Sequence, residues 1–362
     1  MKGRIVAAAA VLLLLLCAVP AWAVLPEEVE DALSPDAQAL LEQLDEDTAD
    51  SGTLSKGVAK LWDNACRLLA AEFRSSLRVM VVLLGAVLLY GVAEGSFQAA
   101  EHPLMANFVP LSFVLVITLT AAGDVQTMMG AGTETMEQLD VLSTALLPSL
   151  AAAVAASGGI VSAGVRQVAT VFFANLLMTL IHSVLLPLVY FYVAAAAADA
   201  MLPGRHLAGI STAIRKGTVW LLTGALALFT LYLTVSGAAA GFADTVTARL
   251  ARGAVGVLPV VGSILADAAD AVLAGAGAVR NTVGVAGLLA VLAVCLLPLV
   301  RLGAQYLVYK AAALLAGVLG AERLTGLIDA LGGAFGLIFG MTGACGLLLL
   351  ISISSALGVV TG

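Results

Sequence analysis

The sequence predicts an all-α, polytopic transmembrane helical bundle, about seven spans after a signal peptide, with a small acidic helical ectodomain. Three observations predict it. Of 362 residues, 61% are hydrophobic and only 11% charged, against about 25% charged in soluble domains, and the mean hydropathy is +1.06. Apolar runs of about 20 residues, the length that crosses a bilayer as a helix, recur along the chain. Short polar breaks separate them, which describes repeated spans and not one aqueous core.

Residues 1–23 read as the signal peptide. Lys2 and Arg4 form a positive n-region, Val6 to Cys17 an apolar h-region, and Ala21-Trp22-Ala23 a small-x-small cleavage site. Cleavage is expected after Ala23, with an uncleaved signal anchor as the rival reading. Cys17 follows Leu16, where a lipoprotein signal needs a small residue.

Residues 24–78 form the acidic extracytoplasmic segment, with twelve acids and five bases for a net charge of −7. Ser34-Pro35-Asp36 has the chemistry of a helix start: a capping hydroxyl, proline at the first turn and an acid at the positive dipole end. Ala37, Leu40, Leu41 and Leu44 then share one face. A second amphipathic run uses Val58, Leu61, Trp62, Ala65, Leu68 and Leu69. It suits either a helix lying at the membrane interface or a solvated linker helix. The acidic balance argues against nucleic acid, which needs a basic surface.

The multi-span membrane domain is expected over 79–362. Its spans are 79–97, a short 107–122, 142–161, 168–198, 218–242, 283–300 and one within 331–360. The polar stretch 124–140, with Glu134 and Glu137, reads as an interfacial helix or a loop. The run 168–198 is longer than a bilayer needs, and Pro187 should kink or tilt it. Residues 301–323 read as interfacial or dipping into the membrane. A cleaved signal places Val24 outside, and alternating these spans then sends the basic loop 203–216 outside as well, against the positive-inside tendency. One span is therefore wrong, or a re-entrant segment intervenes before that loop.

Motifs for catalysis are absent: no His-Glu-x-x-His zinc motif, no Walker lysine loop, and neither the Gly-x-Ser-Gly nor the Gly-x-Gly-Asp of intramembrane proteases. Three histidines and four cysteines stand far apart, so neither a metal nor another cofactor is expected. Polar residues at membrane depth are costly and need a reason. Asn175 and His182, seven apart, share a helix face and serve either a water-lined path or interhelical hydrogen bonds. In the glycine-broken segment 253–282, Asp267 and Asp270 lie i, i+3 on one face, with Arg280 about three turns on. The two acids either line a polar pore, pair with bases such as Arg249 or Arg252, or mark an interfacial helix outside the hydrocarbon. Pro259 and Gly262 interrupt the start of this candidate assembly or pore segment. Gly332, Gly336 and Gly340 recur every fourth residue, a ladder that lets another backbone approach closely.

Leu258-Pro-Val-Val-Gly262, Leu265-Ala-Asp-Ala-Ala-Asp270, Arg280-Asn-Thr-Val-Gly-Val-Ala-Gly287, Leu297-Pro-Leu-Val-Arg301 and Tyr309-Lys-Ala-Ala-Ala313 together closely resemble the stage III sporulation protein AE family of endospore-forming bacteria. The resemblance implies a non-enzymatic, multi-pass subunit in the mother-cell membrane around the forespore, part of the channel or secretion-like assembly linking the two cells. It also implies partners: other membrane proteins of the stage III sporulation operon, a forespore membrane protein, and the surrounding lipid. A secondary transporter or permease is the alternative, since transporters place unwound helices at their sites.

Overall fold

A computed structural model of the chain describes residues 54–99, 105–156, 160–202, 208–256 and 261–358. The signal peptide, the Ser34-Pro35-Asp36 helix start and Pro259 lie outside the described residues. The elements are α1 (Leu54–Ala99), α2 (Met105–Ala156), α3 (Ile160–Leu180), a π turn (Ile181–Leu185), α4 (Leu186–Met201), α5 (Ala208–Gly256), α6 (Val261–Val318) and α7 (Glu322–Gly358). Six stretches are long and apolar enough to cross a membrane: Cys66–Ser96, Leu111–Ala156, Gln167–Met201, Gly209–Ser236, Val283–Val318 and Glu322–Leu357. The protein is a helical, multi-pass membrane protein, with six such stretches among the described residues where about seven spans were expected.

The difference arises in α2. Its polar stretch 124–140 is neither a loop nor a separate interfacial helix but the middle of one helix. Val114, Ile117, Ala121, Val125, Met129, Met136, Leu139 and Leu142 form a buried stripe at three- and four-residue spacing straight through it. Glu134 and Glu137 are exposed on the other side, and Asp140 is exposed at the edge of the stripe, lining a small cleft with Met136 and Leu139. A hydropathy average registers these charges as a break, whereas the helix period continues past them.

Elsewhere too the helices run on. The amphipathic run at 58–69 and the first span are one helix, α1, so the chain makes no turn between them. Residues 301–318 belong to α6, and Glu322 and Arg323 open α7, so 301–323 is no independent interfacial segment. The backbone of α6 stays helical through Gly262, Gly275 and Gly277 and carries Pro298 inside it, as membrane helices tolerate. The side chains of 262–280 lie outside the described residues.

Just before Pro187 the structure shows a change of helix type, a π turn at Ile181–Leu185. Proline has no N–H to return to the preceding turn, and the turn just before it widens. Leu186 donates its N–H to the Ile181 carbonyl, five residues back, as a π turn requires.

Contacts set the directions of the helices. Lys310 on α6 meets Asp329 on α7 at 2.5 Å, while at their other ends Gly284 faces Leu357 and Cys295 faces Gly346, so these two form an antiparallel pair. They are the centre of the bundle; Tyr309, Leu324, Ile328, Phe335 and Ile338 are fully buried between helices. On α3, Thr170 shares a hydroxyl hydrogen bond with Ser352 of α7. On α1, Glu72 accepts from the Arg301 guanidinium of α6 at 2.9 Å. The links α4–α5 and α6–α7 thus lie at one end of the bundle, and the links α2–α3 and α5–α6 at the other.

Candidate functional site

At the end where α4, α5 and α7 meet, the helices leave a chamber of about 1090 Å³. Each wall follows from local sequence. The second helix of the proline-interrupted pair, α4, supplies Tyr192 and Asp199 seven residues apart, on the face that also buries Ala196 and Ala200. The small alanines keep that wall flat. The first turns of α5 bring Thr212, Arg215, Lys216 and Thr223. The opening turns of α7 bring Glu322, Arg323 and Asp329.

Two of the three acids of the chamber have structural employment. Lys310 donates to the Asp329 carboxylate at 2.5 Å and to its backbone carbonyl at 3.1 Å. Glu322 sits in the first turn of α7, where the positive end of the helix dipole favours an acid. Beside the chamber, the buried Tyr309 donates its hydroxyl to Asp124 of α2 at 3.1 Å and packs its ring, tilted by 45°, at 4.8 Å between centroids against Phe335. The bases are different. Among the described residues, Arg215, Lys216 and Arg323 form no ion pair.

A second cavity of about 480 Å³ runs from the chamber along α7, and Arg215 and Val219 line both. Its floor is the glycine face of α7, Gly333 and Gly336, and its walls are Tyr306, Leu307, Leu337 and Phe339. A Cβ at Gly332 would lie 3.1 Å from Tyr309 Cβ, one at Gly336 would lie 3.0 Å from the Tyr306 ring, and one at Gly340 would lie 3.6 Å from Leu222. The rungs of the ladder therefore face α6 and α5.

The other residues singled out from sequence are not brought here. Asn175 and His182 are exposed on α3 and the π turn, and neither makes a hydrogen bond with another described residue. The side chains of Gly262, Asp267, Asp270 and Arg280 are outside the described residues, as is all of Pro259. Among the described residues no three His, Cys, Asp or Glu side chains are grouped to hold a metal ion.

Of the chamber residues, sequence marked only Arg215 and Lys216, as part of a basic loop. Asp199, Arg323 and Asp329 carried no local signal, because the chamber exists only once three distant helix ends meet.

Comparison with known proteins places the whole arrangement. No solved structure matches the chain. A relative in Bacillus subtilis (strain 168), named stage III sporulation protein AE, is 25% identical over 241 residues, covering 66% of this chain. The chain spans 60% of the length of that relative. The family profile described as stage III sporulation protein AE matches residues 41–359, from ahead of α1 to the end of α7. With so much of the membrane bundle inside the match, the chain belongs to the stage III sporulation protein AE family.

Proposed function

We propose that this protein is a non-enzymatic subunit of a membrane assembly that links mother cell and forespore, and that forespore development requires it. The family match across 41–359 carries the reading. In this reading the protein sits in the mother-cell membrane around the forespore. Residues 24–78 face the space between the two membranes after cleavage at Ala23, and the segment around Asp267 and Asp270 lies at the assembly surface. Partners are other stage III sporulation membrane proteins and a protein of the forespore membrane.

The surface supports an assembling role. Glu134, Glu137 and Asp140 on α2, and Asn175 and His182 on α3 and the π turn, are exposed on stretches apolar enough to span a membrane. Polar groups facing hydrocarbon are costly, so such positions normally face protein or water. A neighbouring subunit or a shared aqueous lumen would supply both.

The experiment is deletion in an endospore-forming host with complementation, read beside co-purification of the tagged protein with the other stage III membrane proteins. Forespores that arrest and are rescued by the intact gene, with co-purified partners, support the reading. Normal sporulation of the deletion strain would overturn it, as would solute uptake by the isolated protein in proteoliposomes.

A further inference from the structure

The chamber and the groove differ in character but share two residues. The chamber is the more polar of the two, and beside the acids Asp199, Glu322 and Asp329 it has three bases without ion-pair partners among the described residues, Arg215, Lys216 and Arg323. The groove is apolar, and its flanks open sideways to the exterior of the bundle. Val219 is 50% exposed, Leu307 49% and Phe339 41%. Its floor from Gly333 to Phe339 is about 9 Å long by helix rise, the reach of the upper part of one acyl chain. Trp220, 76% exposed, stands at the rim, and an indole is favoured where hydrocarbon meets headgroups.

We propose that chamber and groove together bind one anionic phospholipid, with Arg215, Lys216 and Arg323 holding the phosphate and an acyl chain lying over Gly333 and Gly336. Three features select this ligand. The bases lie at helix ends, near headgroup level, where basic pockets between membrane helices take anionic headgroups. A soluble anion would use the chamber but leave the groove without an occupant. A neutral lipid would fill the groove but offer no phosphate charge to three bases that form no ion pair among the described residues. The glycines matter because side chains there would fill the groove floor. The proposal does not depend on the sporulation role.

The test uses the full chain in nanodiscs with Trp22→Phe and Trp62→Phe, so that Trp220 is the remaining indole. Its fluorescence is quenched by acyl-brominated phosphatidylglycerol or by acyl-brominated phosphatidylcholine at graded mole fractions. The expected result is half-maximal quenching by phosphatidylglycerol at a mole fraction roughly tenfold or more below that for phosphatidylcholine, the scale that three bases near a membrane surface produce. The triple substitution Arg215→Gln, Lys216→Gln, Arg323→Gln should remove the preference, and the exchange Arg215→Lys with Lys216→Arg should keep it. Equal quenching by the two lipids in the parent protein overturns the proposal without reliance on any variant. A preference that survives the triple substitution overturns it too. So does a preference abolished by inorganic phosphate but not by chloride at equal ionic strength, which would identify a free-anion site.

Discussion

Small residues decide how closely these helices approach, and the tolerance of each depends on what faces it. A Cβ at Gly346 would stand 2.8 Å from Cys295 Sγ, inside a part of the bundle where Cys295 is buried. Gly346→Ala should therefore destabilise by about 1–3 kcal/mol, the range for overpacking a filled core. Thermal unfolding in detergent should show the loss, and Cys295→Ala in the same chain should restore most of it. Failure of that rescue would place the strain elsewhere. Gly336→Leu is the harsher change, because its side chain meets the Tyr306 ring; reduced yield and impaired assembly are expected, and wild-type behaviour would show that this face tolerates bulk. At Tyr309 the question is polar. Tyr309 is fully buried and its hydroxyl donates to the half-buried Asp124, so Tyr309→Phe should cost about 1–2 kcal/mol. Asp124→Asn, which keeps a carbonyl acceptor, should cost less, and a reversed order would rule out this bond as the source.

Among the elements, the turn joining α6 to α7 has the clearest cause. Gly320 takes a positive φ of 78°. Its N–H bonds back to the Gly317 carbonyl at 3.1 Å, and the Ala321 N–H to the Ala316 carbonyl at 3.4 Å, the paired bonds of a Schellman ending. Gly320→Ala should cost about 1 kcal/mol, because an L side chain disfavours that backbone region; an unchanged unfolding midpoint would refute this. Composition and run length made the helical membrane class and most span positions legible. The middle of one helix and the end of another were not. Residues 124–140 looked like a break because charge lowers a hydropathy average, although Val125, Met129 and Met136 keep the helix period there. Residues 301–323 hid a helix end because Gly320 is one glycine among 37. The chamber was less legible still, since Asp199, Arg215 and Asp329 are neighbours only through tertiary packing.

For the molecule as a whole, α2 as a single crossing resolves the conflict over charge. If residues 24–53 are outside the cytoplasm, α1 crosses inward, α2 outward, and α3 with α4 inward. The link ahead of Arg215 and Lys216 is then cytoplasmic, as basic segments prefer. Lys216→Cys should accordingly react with a membrane-impermeant maleimide only after permeabilisation, whereas Ser157→Cys, at the α2–α3 link, should react in intact cells of a non-sporulating host, where that side is open to the medium. The same labelling pattern at both positions would refute the arrangement.

The lengths of the apolar stretches have a positional consequence. Val283–Val318 and Glu322–Leu357 each contain 36 residues, about 54 Å of helix, against a hydrocarbon layer of about 30 Å. Tilt alone would have to approach about 55° to hide that excess, beyond the roughly 40° at which membrane helices reach their limit. The ends of both stretches therefore project past the hydrocarbon, and they carry charge there: Lys310 on α6, and Glu322, Arg323 and Asp329 on α7. The chamber at the start of α7 is thereby lifted out of the lipid core to the height of headgroups and water.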